Sequence, residues 1–320
     1  MDLGIRIPTG MPITKVANYI KRCEDIGFTS VGVVDHQHSS RDVFITLALA
    51  AAQTSSITLY PAVSNPITRH SMVLASIAYS LEEIAPGRIM IPIGAGFHSV
   101  RNINHAQSTV AQMRVTIEEI RHLLRGEEVY SGITEGKMTR LHNNPPPIYV
   151  CATGFKMTRL AGEVGDGGFL MTGIHPNNIE EAKSLVAEGA TLSGRDPSKI
   201  PLTFVSAIHM ENDMEKAWQW ARPLCYNWIR DKQRAKWLLK AGVKLPKVER
   251  EEDLTIDHLR ELCEVIGLFG TPEYCVDKIK SLETNYGVTS LFLQPTTTYD
   301  MPEETIGFLA SSLQNITNSS

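Results

Sequence analysis

Asp35, His36 and His38 stand together in "VVDHQHSS", residues 33–40, directly behind a run of apolar side chains. An aspartate and two histidines at this spacing suit three chemistries: a metal site, a proton-transfer site, or contacts from a strand end to another molecule. His36 and His38 are two positions apart, so an extended segment turns both to one side. A zinc or iron site also needs a third and a fourth ligand. His98 and His209 follow other apolar runs, but no motif spacing ties them to the pair. No metal is expected. One histidine beside a bound ring, or carrying a proton, is the preferred use.

Polar residues and glycines gather behind the other apolar runs as well. Arg6 closes the first, and Ser64-Asn65-Pro66 the third. Gly94-Ala95-Gly96-Phe97-His98 follow the fourth and Ala152-Thr153-Gly154 the fifth. Thr172-Gly173, His209 and Gln294-Pro295 end the last three. The set is poor in carboxylates, so paired acids for glycoside hydrolysis are missing. A G-x-S-x-G nucleophile elbow is missing too.

These residues need elements to hold them. Runs rich in Val, Ile and Leu fall at 3–7, 30–34, 56–64, 88–96, 147–152, 167–171, 201–209 and 289–295. They lack a clean polar–apolar alternation, as parallel strands covered on both faces do. Between them come helical spacings such as Ile13, Val16, Ile20 and Cys23. Eight strands, each followed by helix, predict an α/β fold: a (β/α)8 TIM barrel, single-domain over 1–320. Chemistry in such a barrel sits at the strand ends just named. Two excursions interrupt it, a polar stretch at about 126–147 read as a hairpin and a helical insertion at about 211–267 between strands seven and eight. The insertion carries all four tryptophans, Trp218, Trp220, Trp228 and Trp237, read first as its own packing. A doubly wound dinucleotide fold is rejected, because "GAGFHS" puts Ser99 where the third glycine is needed.

The bulk properties agree with a soluble cytoplasmic enzyme. A formal charge of -4, without long runs of one sign, argues against a nucleic-acid partner. The five cysteines are scattered, with no C-x-x-C pair, as reduced thiols would be. Neither a secretory signal nor a membrane span is read from the sequence.

Five blocks carry a resemblance: "CEDIGFTSVGVVDH", "RDVFITLALAAAQTSSITLYPAVSNPITRH", "EEIAPGRIMIPIGAG", "TGFKMTRLAGEVGDGGFLM" and "FGTPEYCVDKIKSLETNYGV". In this order and spacing they resemble the luciferase-like flavin and deazaflavin oxidoreductase superfamily, most closely the branch containing methylenetetrahydromethanopterin reductase. The resemblance covers most of the chain and fades over 213–266. It implies a TIM barrel holding an isoalloxazine-like ring at the C-terminal strand ends. The "VVDH" form looks like the branch using coenzyme F420, a deazaflavin; FMN is the alternative cofactor.

By resemblance, Asp35 and His36 lie beside the ring and are the catalytic candidates, with His36 near the reacting face. "AVSNP" aligns with a segment that forms a non-prolyl cis peptide, here Ala62–Val63, with Ser64 and Asn65 offered to the ring's polar edge. Gly94 and Gly96 border the cofactor, and Ala152, Thr153, Gly154 and Phe155 form the phosphate-binding turn. Lys156 and Arg159 are either tail contacts or solvated helix residues. Arg6, Phe97 and His98 are assigned to the substrate pocket. Arg6 and Phe97 stand where the reductase branch commonly has acids, so a different small-molecule substrate is expected, with His36 or His98 as proton carrier. The function implied is F420-dependent hydride transfer. The alternatives are an FMN-dependent monooxygenase and a non-catalytic flavin-binding relative. The resemblance further implies a homodimer or higher homo-oligomer.

Overall fold

The computed structural model describes residues 1–131, 134–296 and 299–317. β1 (Asp2–Ile7) leads into α1 (Ile13–Ile26). Val16, Ile20 and Cys23 of α1 are buried in the main core, and the helix stops at Gly27, whose φ of 112° suits a residue without Cβ. β2 (Ser30–Val33), α2 (Val43–Gln53), β3 (Thr58–Pro61), α3 (Ser71–Ile84) and β4 (Ile91–Ile93) keep the alternation. α4 (His98–Asn102) and α5 (Val110–Leu124) follow. The polar stretch then holds the expected antiparallel pair, β5 (Val129–Ser131) with β6 (Thr134–Gly136); its residues 132–133 lie outside the described residues. β7 (Ile148–Ala152), α6 (Phe155–Val164), β8 (Gly167–Leu170), α7 (Pro176–Leu192) and β9 (Leu202–Met210) resume the barrel. The insertion contributes α8 (Met214–Trp220), α9 (Arg222–Arg230), α10 (Lys232–Lys240) and α11 (Ile256–Ile266). β10 (Gly267–Gly270), α12 (Pro272–Tyr286), β11 (Ser290–Pro295) and α13 (Glu303–Thr317) complete the order.

Eight strands pair in parallel in the order β3-β2-β1-β11-β9-β8-β7-β4. Two isolated parallel pairings, Leu59 with Ile89 and Ser64 with Ile93, join the outer strands and close the ring. These are the eight strands expected, and the fold is the TIM barrel. The third is shorter than its apolar run. Between the two closing pairings the β3 side spends five steps and the β4 side four, so one residue is extra and the backbone bulges there. The peptide bond Ala62–Val63, within that bulge, is cis.

The insertion departs from a purely helical reading. β10 pairs in parallel with Ala207–Met210 of β9. β9 is nine residues long, and β8 covers only its first part, through Phe204. β11 occupies the other edge through Ile208, so β10 takes the edge that β8 leaves open. A four-residue "GLFG" run is too short to show that role in its pattern.

Inside the ring, Tyr60, Met90, Phe169, Val205 and Phe292 form a buried plug. Gly32 of β2 makes room for it, since a Cβ there would lie 2.7 Å from both Tyr60 and Phe292. Outside, α6 and α7 cross at glycines: a Cβ on Gly162 would lie 1.9 Å from the carbonyl oxygen of Val186, and one on Gly189 2.0 Å from that of Arg159. The sulfurs of Cys225 and Cys263 approach to 3.9 Å within the insertion, and every cysteine is a free thiol. No described helix is long and apolar enough to cross a membrane.

Candidate active site

The plug gives the C-terminal mouth an apolar floor. Val63 just past β3, Cys151 of β7 and Met171 just past β8 pack on it. Burial pushes the Cys151 thiol up to about 12, so the floor stays uncharged and offers no thiolate nucleophile at neutral pH.

Asp35, just past β2, is buried. Its carboxylate accepts from Ser64 Oγ at 2.8 Å, Gln37 Nε2 at 3.0 Å, Arg69 Nη2 at 3.2 Å and Arg69 Nε at 3.3 Å. Arg69 also reaches Asp42 at 2.8 Å and lies over the Phe44 ring. Asp35 therefore holds Ser64 and the bulge beside it. Asn65 is equally committed: its amide donates to Ser99 Oγ at 3.2 Å and accepts from the backbone N–H groups of Ile67 and Thr68. The side chains of Ser64 and Asn65 thus serve protein partners, and the half-buried Ala62 and Val63 just before them pack against the plug. Arg69, which anchors the whole group, was not singled out from the sequence. Its partner lies 34 positions away, and no local pattern marks it.

His36 is half-buried and His38 exposed, their rings 5.6 Å apart. The short helix α4 covers them. Its first and last residues, His98 and Asn102, share a face at i, i+4. Asn102 Nδ2 lies 3.5 Å from His36 Nε2 and 3.3 Å from His38 Nδ1. Asn102 is a second residue that sequence reasoning missed. The His98 and Phe97 rings meet at a tilt of 53° with centres 4.4 Å apart, and the Arg101 guanidinium lies 4.3 Å from the Phe97 ring centre. Partial burial, then the charges of His36, Arg101 and Arg234, lower the His98 pKa below its ordinary value. The imidazole is neutral at neutral pH and suited to accept a proton. Gly94 is buried beside Val63 and Cys151, and Gly96 starts the chain into α4 with φ 88°.

Across the mouth lies a cavity of about 660 Å³. Its barrel walls are Arg6, Met171, Val205, Ala207 and Gln294–Thr296; its roof is the insertion, through Trp220, Leu224, Trp228 and Arg234. The cavity thus uses β1, β11, β9 and β8, whereas Asp35, Ser64, Gly94 and Ala152 stand on the β2, β3, β4 and β7 arc. Met171 and Val205 belong to both the cavity wall and the floor, so the two halves are continuous. Of the expected pocket residues, Arg6 lines the cavity, while Phe97 and His98 stand on the opposite rim. Arg6 donates to the Pro295 carbonyl at 2.6 Å, and burial lowers its pKa to about 10. The tryptophans divide: Trp220 and Trp228 line the cavity, whereas Trp237 is fully buried packing.

The turn Ala152–Phe155 enters α6, with Gly154 as its N-cap. α10 lies on this turn. Trp237 Nε1 donates to the Thr153 carbonyl at 2.5 Å, and Phe155 packs on the Trp237 ring at 4.4 Å. A Cβ on Gly154 would come within 2.7 Å of Gln233 Oε1, so the Gln233 amide covers the helix start. Lys156 is exposed, and Arg159 pairs with Glu188 of α7 at 2.9 Å.

A family model described as luciferase-like monooxygenase matches residues 1–290. A 5,10-methylenetetrahydromethanopterin reductase of Methanolobus tindarius is 34% identical over 226 residues, 68% of either chain. An F420-dependent hydroxymycolic acid dehydrogenase of Mycobacterium tuberculosis is 31% identical over 208 residues, 58% of this chain and 56% of that one. Among solved structures, the coenzyme F420-dependent tetrahydromethanopterin reductase from Methanopyrus kandleri superposes with a TM-score of 0.79 at 23% identity, covering 98% of each chain.

Proposed function

This chain belongs to the luciferase-like family, and from that premise we propose that it is an F420-dependent oxidoreductase acting by hydride transfer on a small organic substrate. The observation that carries the reading is the continuous apolar floor, bordered by the His36–Ser64–His98 arc on one side and by the substrate-sized cavity on the other. A planar ring with apolar faces and a polar edge fits that floor and rim. When bound, the deazaflavin supplies a two-electron hydride carrier.

The protein's own contribution is position. Val63, Cys151, Met171 and Val205 would support the ring, and the Asp35–Arg69 network fixes the bulge that carries Ala62, Val63 and Ser64. Gly94 and Gly96 border the ring on the β4 side. The Ala152–Phe155 turn presents the start of α6 to the phosphate of the cofactor's tail, where backbone N–H groups and the helix dipole favour an anion. His36 would stand beside the ring, and His36 or the neutral His98 takes or returns the substrate proton. The expected assembly is a homodimer or higher homo-oligomer, read directly by light scattering.

The test is titration of the purified protein with F420 and with reduced FMN, followed by turnover of His36→Ala and His38→Ala. The reading expects tight F420 binding, a fall of about 100-fold in kcat for the His36 variant, and near-normal turnover for the His38 variant. Tight FMN binding with oxygen consumption would overturn it.

A further inference from the structure

Arg234, on α10, lines the cavity with a guanidinium that the described protein leaves largely unused. Its Nε is buried and has no hydrogen-bond partner among the described residues. Among the described residues its Nη2 reaches only the sulfur of Met171, at 3.6 Å, and its charge lies 5.8 Å from the Trp228 ring centre. The carboxylate whose field reaches it is Asp231, but Asp231 Oδ1 accepts from the backbone N–H groups of Gln233 and Arg234 as the cap of α10. The contrast with Arg222 is direct. Arg222 lines the same cavity yet spends its Nη1 on the carbonyls of Glu251 and Leu254.

Holding a half-buried guanidinium without a paired counter-charge is unfavourable, and burial here lowers its pKa. A site that tolerates this cost recovers it when an anion arrives, through charge-assisted and bidentate hydrogen bonds. The same cavity is lined by the apolar side chains of Trp228, Leu224, Val205 and Ile266 and by the polar ones of Gln219, Asn227 and Gln294.

We propose that Arg234 is the anion-recognising residue of this cavity, and that the ligand it receives carries a carboxylate or phosphate head on an apolar body. The anion is the substrate's own head group or the phosphate of the cofactor's tail, since α10 also covers the start of α6 through Gln233. The proposal names a substrate class for the hydride-transfer reading and so rests on it for the reaction, while anion binding itself is independent of the cofactor.

The experiment uses the full chain without cofactor. Inorganic phosphate and malonate are titrated by calorimetry into wild type, Arg234→Gln, Arg234→Lys and, as a surface-charge control, Lys199→Gln, an exposed residue outside the mouth. F420 and the deazaflavin ring lacking its phosphate tail are then titrated by fluorescence. The expected result is a loss of about 10- to 100-fold in anion affinity for R234Q, a smaller loss for R234K, and none for K199Q. F420 affinity unchanged in R234Q assigns the anion to the substrate. Weakening of F420 but not of the tail-less ring assigns it to the cofactor. If R234Q does not fold, R234K carries the test through its partial loss. Equal binding of both anions and of F420 by wild type and both variants, or no anion binding by wild type, overturns the proposal. Absence of F420 binding alone defeats the hydride-transfer reading and leaves the anion result standing.

Discussion

Removing the charge of Asp35 would leave Arg69 facing Asp42 alone and loosen Ser64 at the bulge. The Asp35 side chain is only 2% exposed, so breaking this pair belongs to the expensive class of buried charge deletions. Asp35→Asn is expected to cost about 3 kcal/mol in denaturant unfolding and to weaken ring binding. Asp42→Asn, at a 35% exposed carboxylate, is expected to cost about 1 kcal/mol. His98 gives a second prediction. Its pKa is held down first by partial burial and then by His36, Arg101 and Arg234. The unfolded chain therefore takes up a proton that the folded chain resists, and this contribution to stability is lost as pH falls from about 6.5 through the lower folded value. Replacing Arg234 by Gln removes one of the depressing charges. The His98 titration midpoint, followed by NMR, should move up in that variant, and an unchanged midpoint would contradict the placement of Arg234. Asp35 and His36 were legible in the sequence because a short polar group directly behind an apolar run marks a strand end. Arg69, Asn102 and Arg234 were not, because each acts on a group brought near only by folding.

The eight strands were legible because parallel strands buried on both faces are written as apolar runs. Their ends were less so. The run 56–64 becomes strand only over Thr58–Pro61, since the closing pairings to β4 force an extra residue into the chain beyond it. Four-residue β10 exists because β9 outruns β8, a fact about a partner rather than about "GLFG" itself. The glycine-rich block "TGFKMTRLAGEVGDG" likewise has two explanations at two scales. Gly154 opens the turn at the mouth, but Gly162 meets the backbone of α7. Gly162→Ala should then destabilise by about 1–3 kcal/mol through overpacking, seen in the denaturation midpoint. Affinity for F420 in the folded fraction should be unchanged, because the contact is on the outer helix layer.

At the scale of the molecule, the barrel places two kinds of surface at one mouth: a polar arc on β2, β3, β4 and β7, and a cavity roofed by the insertion on β1, β11, β9 and β8. A ligand that binds the folded chain alone raises its stability by mass action. F420 at a hundredfold excess over its Kd should add about 2.7 kcal/mol to unfolding, read as a higher Tm, whereas FMN at the same concentration should add little. The amino-acid sequence by itself determined the alternation of strand and helix, the barrel, and the short set of residues at its strand ends. All of these follow from side-chain periodicity and turn chemistry within a few residues. Only the tertiary structure decided that Asp35 holds Ser64 through a network with Arg69, that α4 carries His98 and Asn102 over His36, and that α10 brings Arg234 into the cavity. The reason is physical: ring closure and the docking of an insertion are set by contacts between residues tens to hundreds of positions apart, which no local pattern records.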